Sequence, residues 1–532
     1  MSDQKQATTV DPSDPRQTMQ LCADLISGLL RRTDPQDPDL LNAHAACTRW
    51  LDSNSLPKLV KQIPPHEHAP NSAATLPAPQ AGARWSHVPV ELLRRILRLR
   101  RAAGPKRTTA ARDMSACSLV CRTWEPTVSD VLWESVVVTS ESQFIDLVQA
   151  SASSSARLGR GRERAGGIRF LQFESLVHWR VPRETCWRFW KKLRGLRGLK
   201  LTWPSKGVEG KADRLVERVL RPLLGDLLPG LNVNSPLLTA LDVPTLNNWA
   251  VETIQDPAEL TEVAGTISRL AFLRMPYLDT SNPHEILYAA LGPALRFWAP
   301  DSCLGDAAEI TATSLPHLEC IEFPAPDGEI FDDQPGPSVS TAFMHKLASL
   351  QPPLRQVILR GSLLESEAIL TTLLTACPTI QEIDLAGCEP ISDKTLAALE
   401  NHPPLYSLDL SYLSDLPTTC IASLLRARGS KLRFLGLPMS SVPALFASYA
   451  PSLEHIALSN PGSDFPGGTM QLAKDIVGSC PRLKRFTKQE LKTDPDFDRV
   501  RAFFYGLRVQ CPLFESSRLL MPDALQVAGE VL

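Results

Sequence analysis

From residue 168 to about 487 the chain repeats one short pattern of apolar and polar positions. Pro378-Thr379-Ile380-Gln381-Glu382-Ile383-Asp384-Leu385 shows it most fully: a proline, a leading aliphatic two residues later, then apolar residues at every second position. Strict alternation is the mark of a half-buried strand. The leading aliphatics fall at 270, 295, 318, 354, 380, 405, 432, 453 and 483, at steps of 25, 23, 36, 26, 25, 27, 21 and 30. Seven have proline two residues ahead, at 293, 316, 352, 378, 403, 451 and 481; Ser430 takes that place before Leu432. Ile168–Phe173, Leu196–Leu201 and Leu270–Arg274 are looser copies. Between strands, Ser392–Leu399, Thr418–Arg426 and the shorter Ala444–Tyr449 have helical spacing. A period of roughly 20–29 residues with one strand and one helix per unit predicts a solenoid. Proline suits its place because it stops the preceding helix and biases the residue before it towards extended backbone.

The rest of the chain reads differently. Residues 1–15 form a polar tail, 16–32 and 40–51 carry helical spacing, and the proline-rich 64–83 is a linker. Val88-Pro89-Val90-Glu91-Leu92-Leu93-Arg94-Arg95-Ile96-Leu97 places proline in the first turn of an amphipathic helix. A basic stretch, Arg98–Arg112, leads to a second helical segment, Met114–Val128, and Leu132-Trp133 then closes into β-type sequence. Residues 151–167 read as a loop, and Phe497, Phe503, Phe504 and Tyr505 predict an ordered cap beyond the repeats.

Composition adjusts this picture in two ways. Of 532 residues 45 are proline, about 8.5%, which would suggest disorder were the prolines not spread through the repeats. The 12 cysteines are too sparse for a disulfide scaffold, so reduced thiols in cytoplasm or nucleus are expected. The net charge is −2, which calls for neither nucleic acid nor an anionic membrane, and no secretory signal or membrane-length apolar run is expected. Locally, residues 84–125 hold ten Lys/Arg against three Asp/Glu, and 376–420 hold seven Asp/Glu against one Lys.

Residues 377–399 resemble the cysteine-containing leucine-rich repeat common in F-box proteins, with Cys377, Ile380, Ile383, Leu385, Cys388, Ile391 and Leu396 at that family's core positions. Residues 85–138 resemble an F-box, through the order Val88-Pro89 to Ile96, Ala116 to Trp124 and Leu132-Trp133. The gap between its first two parts exceeds the family's usual one by the basic stretch. These resemblances imply an α/β fold: a ribonuclease-inhibitor-like leucine-rich-repeat horseshoe, 168–487, preceded by a small all-α F-box domain, 84–140. Residues 1–83 would be an N-terminal helical and flexible region, 141–167 a linker and 488–532 a cap or tail. They also imply a substrate-recognition subunit of a Skp–cullin–F-box ubiquitin ligase. Val88, Pro89, Leu92, Leu93, Ile96, Leu119, Val120, Cys121, Trp124, Leu132 and Trp133 would then dock the Skp adaptor, and through it the cullin–RING assembly.

Alternation in the repeats sends Val357, Ile383, Leu385, Leu408 and Leu410 to the core. It sends Gln356, Ile358, Arg360, Glu382, Asp384, Ser407, Asp409, Ser411 and Phe434 to the concave face, where a basic or mixed client segment is expected. No cofactor, metal or catalytic residue is expected. Gly207-Val208-Glu209-Gly210-Lys211-Ala212 lacks the first glycine and the hydroxyl residue of a phosphate loop, having Ser205 and Ala212 there. Cys117 and Cys121 have no second ligand pair, His317 and Cys320 have no partners, and His66-Glu67-His68 lacks metalloprotease spacing. The rival readings are a leucine-rich-repeat scaffold with no ligase, its F-box-like part only a cap, and an enzyme carrying a metal or cofactor.

Overall fold

A computed structural model describes residues 90, 93–94, 97, 124–152, 164–174, 188–202, 231, 234–242, 257–274, 290–300, 315–323, 338–403, 405–413, 415–442, 451–459, 468–488, 497–507 and 509. The expected features of 1–83, the basic stretch 98–112, the phosphate-loop mimic and Cys117 lie outside these residues. The chain divides into two compact units, Met1–Val136 and Val137–Leu532.

In the first unit, helix α1 runs Trp124–Glu134, so Leu132 and Trp133 belong to the same helix as Trp124 and not to a separate closing segment. Val128 and Val131 on α1, with Leu93 and Leu97 upstream, are almost fully buried, and Arg94 lies 3.8 Å from Asp130. Strand β1, Ser135–Val138, begins where β-type sequence was expected.

The second unit is an α/β solenoid of leucine-rich-repeat-like units. Its strands are β2 Phe170–Glu174, β3 Gly198–Thr202, β4 Ala240–Asp242, β5 Phe272–Arg274, β6 Phe297–Ala299, β7 Cys320–Glu322, β8 Ser338–Val339, β9 Gln356–Ile358, β10 Leu363–Leu364, β11 Glu382–Asp384, β12 Ser407–Asp409, β13 Phe434–Pro438, β14 His455–Ser459 and β15 Arg485–Lys488. Its helices are α2 Glu141–Ala152, α3 Pro257–Ile267, α4 Thr341–Leu350, α5 Ala368–Ala376, α6 Asp393–Asn401, α7 Thr418–Arg428, α8 Gly468–Ser479 and α9 Phe497–Gly506. Among the described residues, twelve of these strands lie in one sheet in chain order, with β8 and β10 set apart as a two-stranded parallel pair. Parallel neighbours in sequence order are what strand-plus-crossover units produce.

Each leading aliphatic from 270 to 483 lies two residues before a strand, and none is more than 8% exposed. The proline does more than stop a helix. The amide of Ile380 donates to the carbonyl of Cys377, that of Leu318 to Leu315 and that of Leu295 to Gly292. Each proline between them therefore sits at the second position of a β-turn, where its fixed φ is favoured. Past the turn, one carbonyl receives two amides from the next unit, as Arg355 does from Gln381 and Glu382 and Gln381 does from Tyr406 and Ser407. This double bond to a single carbonyl recurs at every step from Arg197–Gly198 to Lys484–Arg485 and locks each strand to its predecessor.

Register aligns the side chains in rows. Leu171, Leu199, Leu241, Leu273, Trp298, Ile321, Val357, Ile383, Leu408, Leu435, Ile456 and Phe486 form the core row, none more than 2% exposed. Burying one such side chain contributes roughly 1.5–3 kcal/mol, so the row alone offsets much of the entropy of ordering the strands. Two differences from the expected organisation stand out. A further unit begins at Leu238, with Pro236 two residues ahead of it. Part of the expected linker 141–167 is helix α2, whose Phe144 packs edge-on against Phe173 at 5.7 Å and Phe189 at 5.4 Å. At the other end, Phe504 of α9 stacks on Phe486 at 4.7 Å, while Tyr505 is 84% exposed.

Candidate partner-binding site

The face of the sheet opposite the core row was expected to present an open acidic surface. Register places Gln356, Glu382, Ser407 and Phe434 in one row across β9, β11, β12 and β13, and Ile358, Asp384 and Asp409 in the next, so the alternation holds. Their exposure does not. Gln356, Ile358, Asp384, Ser407, Asp409 and Phe434 are all buried, and only Arg360 and Glu382 are half-buried.

Asp384 and Asp409 are structural. The Arg360 Nε donates to Asp384 Oδ2 at 3.2 Å and its Nη2 to Asp409 Oδ2 at 3.2 Å. The other carboxylate oxygens accept the amides of Ala386 and Ser411, closing the turn after each strand. Burial opposes the Arg360 cation, but Asp384 and Asp409 outweigh it and hold the guanidinium pKa above its ordinary value. Strands about 4.8 Å apart let one long side chain span two neighbours, which is why these charges meet each other and not solvent. Gly436 belongs to the same arrangement: a Cβ there would stand 1.9 Å from Asp409 Oδ1.

A second network on this face was not anticipated. Arg274 on β5 bonds Asp242 on β4 at 3.2 Å and Glu322 on β7 at 2.6 Å, and Lys200 on β3 lies 3.5 Å from Asp242. Ala299, level with Arg274 on the intervening β6, is small enough to let it reach across. Arg274 also lies over the rings of Phe272 and Phe297, which stack at 4.1 Å. The signal was present in sequence as Asp242, Arg274 and Glu322 at the third position of their strands.

Open space lies at the strand exits. The turns after β9, β11 and β12 enclose a pocket of about 570 Å³, lined by Leu363, Leu364, Cys388, Glu389, Pro390, Ile391, Tyr412, Leu413, Asp415 and Leu416. Its size falls within the roughly 300–1,000 Å³ of ligand sites. The lining mixes aliphatic side chains with at least as much polar surface; Leu363 is 37% exposed, Leu364, Leu413 and Leu416 are buried, and Glu389 and Asp415 are exposed carboxylates. The three turns are equivalent by register, and their third residue past the strand has φ 63 at Gly361, 63 at Gly387 and 68 at Tyr412. Glycine is at ease there; a residue with a Cβ is strained by about 1–2 kcal/mol. The Tyr412 amide donates to Ser459 Oγ at 2.7 Å, which helps hold the turn.

Of the expected adaptor residues, Leu93 is buried, and Leu132 and Trp133 are half-buried on α1. Trp124 begins α1, with its side chain outside the description. Val88, Pro89, Leu92, Ile96, Leu119, Val120 and Cys121 lie outside the described residues. Among the described residues there is no cluster of His, Cys, Asp and Glu able to hold a metal ion, and no helix long and apolar enough to cross a membrane. Cys320, Cys377, Cys388 and Cys480 are buried and Cys420 is half-buried, all as free thiols.

No family model matches the chain, and no curated protein does. Among solved structures, a chain in the crystal structure of the Rad7 and Elc1 complex in yeast is similar over 72% of this chain and 92% of that one, with 15% identity and a TM-score of 0.42.

Proposed function

We propose that the protein is the substrate-recognition subunit of a Skp–cullin–F-box ubiquitin ligase, its F-box-like segment docking the Skp adaptor and its repeats holding the client. The observation that carries the reading is the order of parts: the motifs Val88-Pro89-Val90-Glu91-Leu92-Leu93, Leu119-Val120-Cys121-Arg122-Thr123-Trp124 and Leu132-Trp133 directly precede a solenoid of leucine-rich-repeat-like units. About fifty residues cannot hide so many aliphatic and tryptophan side chains internally, so some of that surface favours a partner. The protein itself makes and breaks no bond. Holding client and adaptor on one chain raises the effective concentration of the reacting groups on the ligase. The local +7 charge of residues 84–125 favours encounter with an acidic partner.

Co-expression of the full chain with a Skp adaptor tests this. Capture of the adaptor, lost when Leu92, Leu93 and Trp124 are made polar, supports the reading. A folded chain that never retains the adaptor rejects it and leaves a repeat scaffold.

A further inference from the structure

Three observations meet at the strand-exit pocket. It is an open cavity beside the acidic stretch, whereas most of the expected client face is buried and its Asp384 and Asp409 are paired with Arg360. Its mixed aliphatic and polar walls come from three consecutive units, with Glu389 and Asp415 exposed among them. Its wall also carries Tyr412 where the two preceding units carry glycine at the same backbone conformation. A strained side chain retained where glycine would relax the turn points to a role for that side chain.

We propose that this pocket binds a linear protein segment with one aliphatic or aromatic anchor flanked by Lys or Arg, the anchor seated against Leu363, Ile391 and Tyr412 and the cations facing Glu389 and Asp415. The inference rests on the substrate-recruiting reading and names the kind of client segment that reading requires. The apolar part of the lining, Leu363 and Ile391 with the Tyr412 ring, rewards removal of an anchor side chain from water. The carboxylates select its flanks, because like charges brought to that rim are repelled. The acidic stretch thus acts through its exposed members, not through Asp384 and Asp409.

The test uses the full-length chain and two pools of fluorescent nonapeptides. Both carry a central Leu or Phe; one has Lys and Arg around it, the other Asp and Glu. Fluorescence anisotropy is expected to show the basic pool binding at least tenfold more tightly than the acidic pool. Tyr412→Gly should weaken that binding at least fivefold without lowering the melting temperature, because glycine suits the turn. Glu389→Lys, at an exposed position, should do the same and serves if Tyr412→Gly does not fold. Equal binding of both pools, no binding of the basic pool, or variants that bind as the wild type overturn the proposal. Adaptor capture on the same preparation separates the two claims. Capture without peptide binding removes the pocket assignment alone; peptide binding without capture removes the ligase reading alone.

Discussion

Replacing Arg360 with methionine keeps most of the side chain's length and removes its charge. Asp384 and Asp409 then lose the partner of one oxygen each, at side-chain exposures of 6% and 1%, too little for water to replace it. Each keeps a turn amide, from Ala386 and from Ser411. Removing one partner of a buried ion pair costs about 3–5 kcal/mol, because the other charge is left uncompensated. At about 1.4 kcal/mol per factor of ten, the local opening equilibrium should rise by roughly a hundredfold to several thousandfold. A repeat array responds chiefly through neighbouring units, so the readout should be local. Native-state hydrogen exchange is suited to this. Protection should fall by that factor in β9, β11 and β12 and change little in β2 and β3. Adding Asp384→Asn and Asp409→Asn should restore more than half of the loss, since neutral amides no longer need the cation. A methionine variant within about threefold of wild-type protection would refute the claim that the two carboxylates depend on Arg360.

Three further outcomes follow from the same packing. Burial, with Arg485 beside it, lowers the His455 pKa from 6.5 to about 4, so the folded state holds the neutral ring. The unfolded chain takes up the proton first, so this contribution is full above about pH 6.5 and falls, by up to about 3 kcal/mol, as pH approaches 4. Urea unfolding across that range should show a shallower acid loss in His455→Gln; parallel curves would contradict the assignment. Glu367 accepts the amides and hydroxyls of both Ser392 and Thr395, capping α6 from the preceding unit. Burial alone would raise its pKa, but these donors outweigh it and lower it. Glu367→Ala should therefore cost about 1–2 kcal/mol at pH 7, read as lost exchange protection in α6, and less as pH falls through the glutamate range. Burial raises the thiol pKa of Cys377 to about 11 and of Cys480 to about 12, and pushes Cys320 and Cys388 up as well. Maleimide at pH 7.5, read by peptide mapping, should leave these four unlabelled and modify Cys420; labelling of the four at the rate of Cys420 would contradict their burial.

The fold was largely legible in the chain, because the core row and its leading aliphatics obey periods that local geometry enforces. Ile380, Leu405 and Leu432 each announce a strand two residues on. The unit at Leu238 escaped because it lies 42 residues past Leu196 and 32 before Leu270, outside the repeat period, although Pro236 marked it. Helix α2 escaped because its apolar residues were read as part of a connector, whereas Phe144 packs against Phe173 and Phe189 from far along the chain. The site was less legible. Alternation assigns Asp384 and Asp409 to the correct face but says nothing of Arg360 reaching both. Nor does sequence alone show that Tyr412 shares its conformation with Gly361 and Gly387; that equivalence appears only once the strands are in register.

The central claim is that the segment before the solenoid docks a Skp adaptor while the repeats stay free to bind. Calorimetric titration of the purified full chain with the adaptor tests it most directly. The account predicts saturable one-to-one binding, abolished by polar residues at Leu92, Leu93 and Trp124 with exchange protection of β9 to β15 unchanged. No binding by a chain whose strands remain fully protected would contradict it.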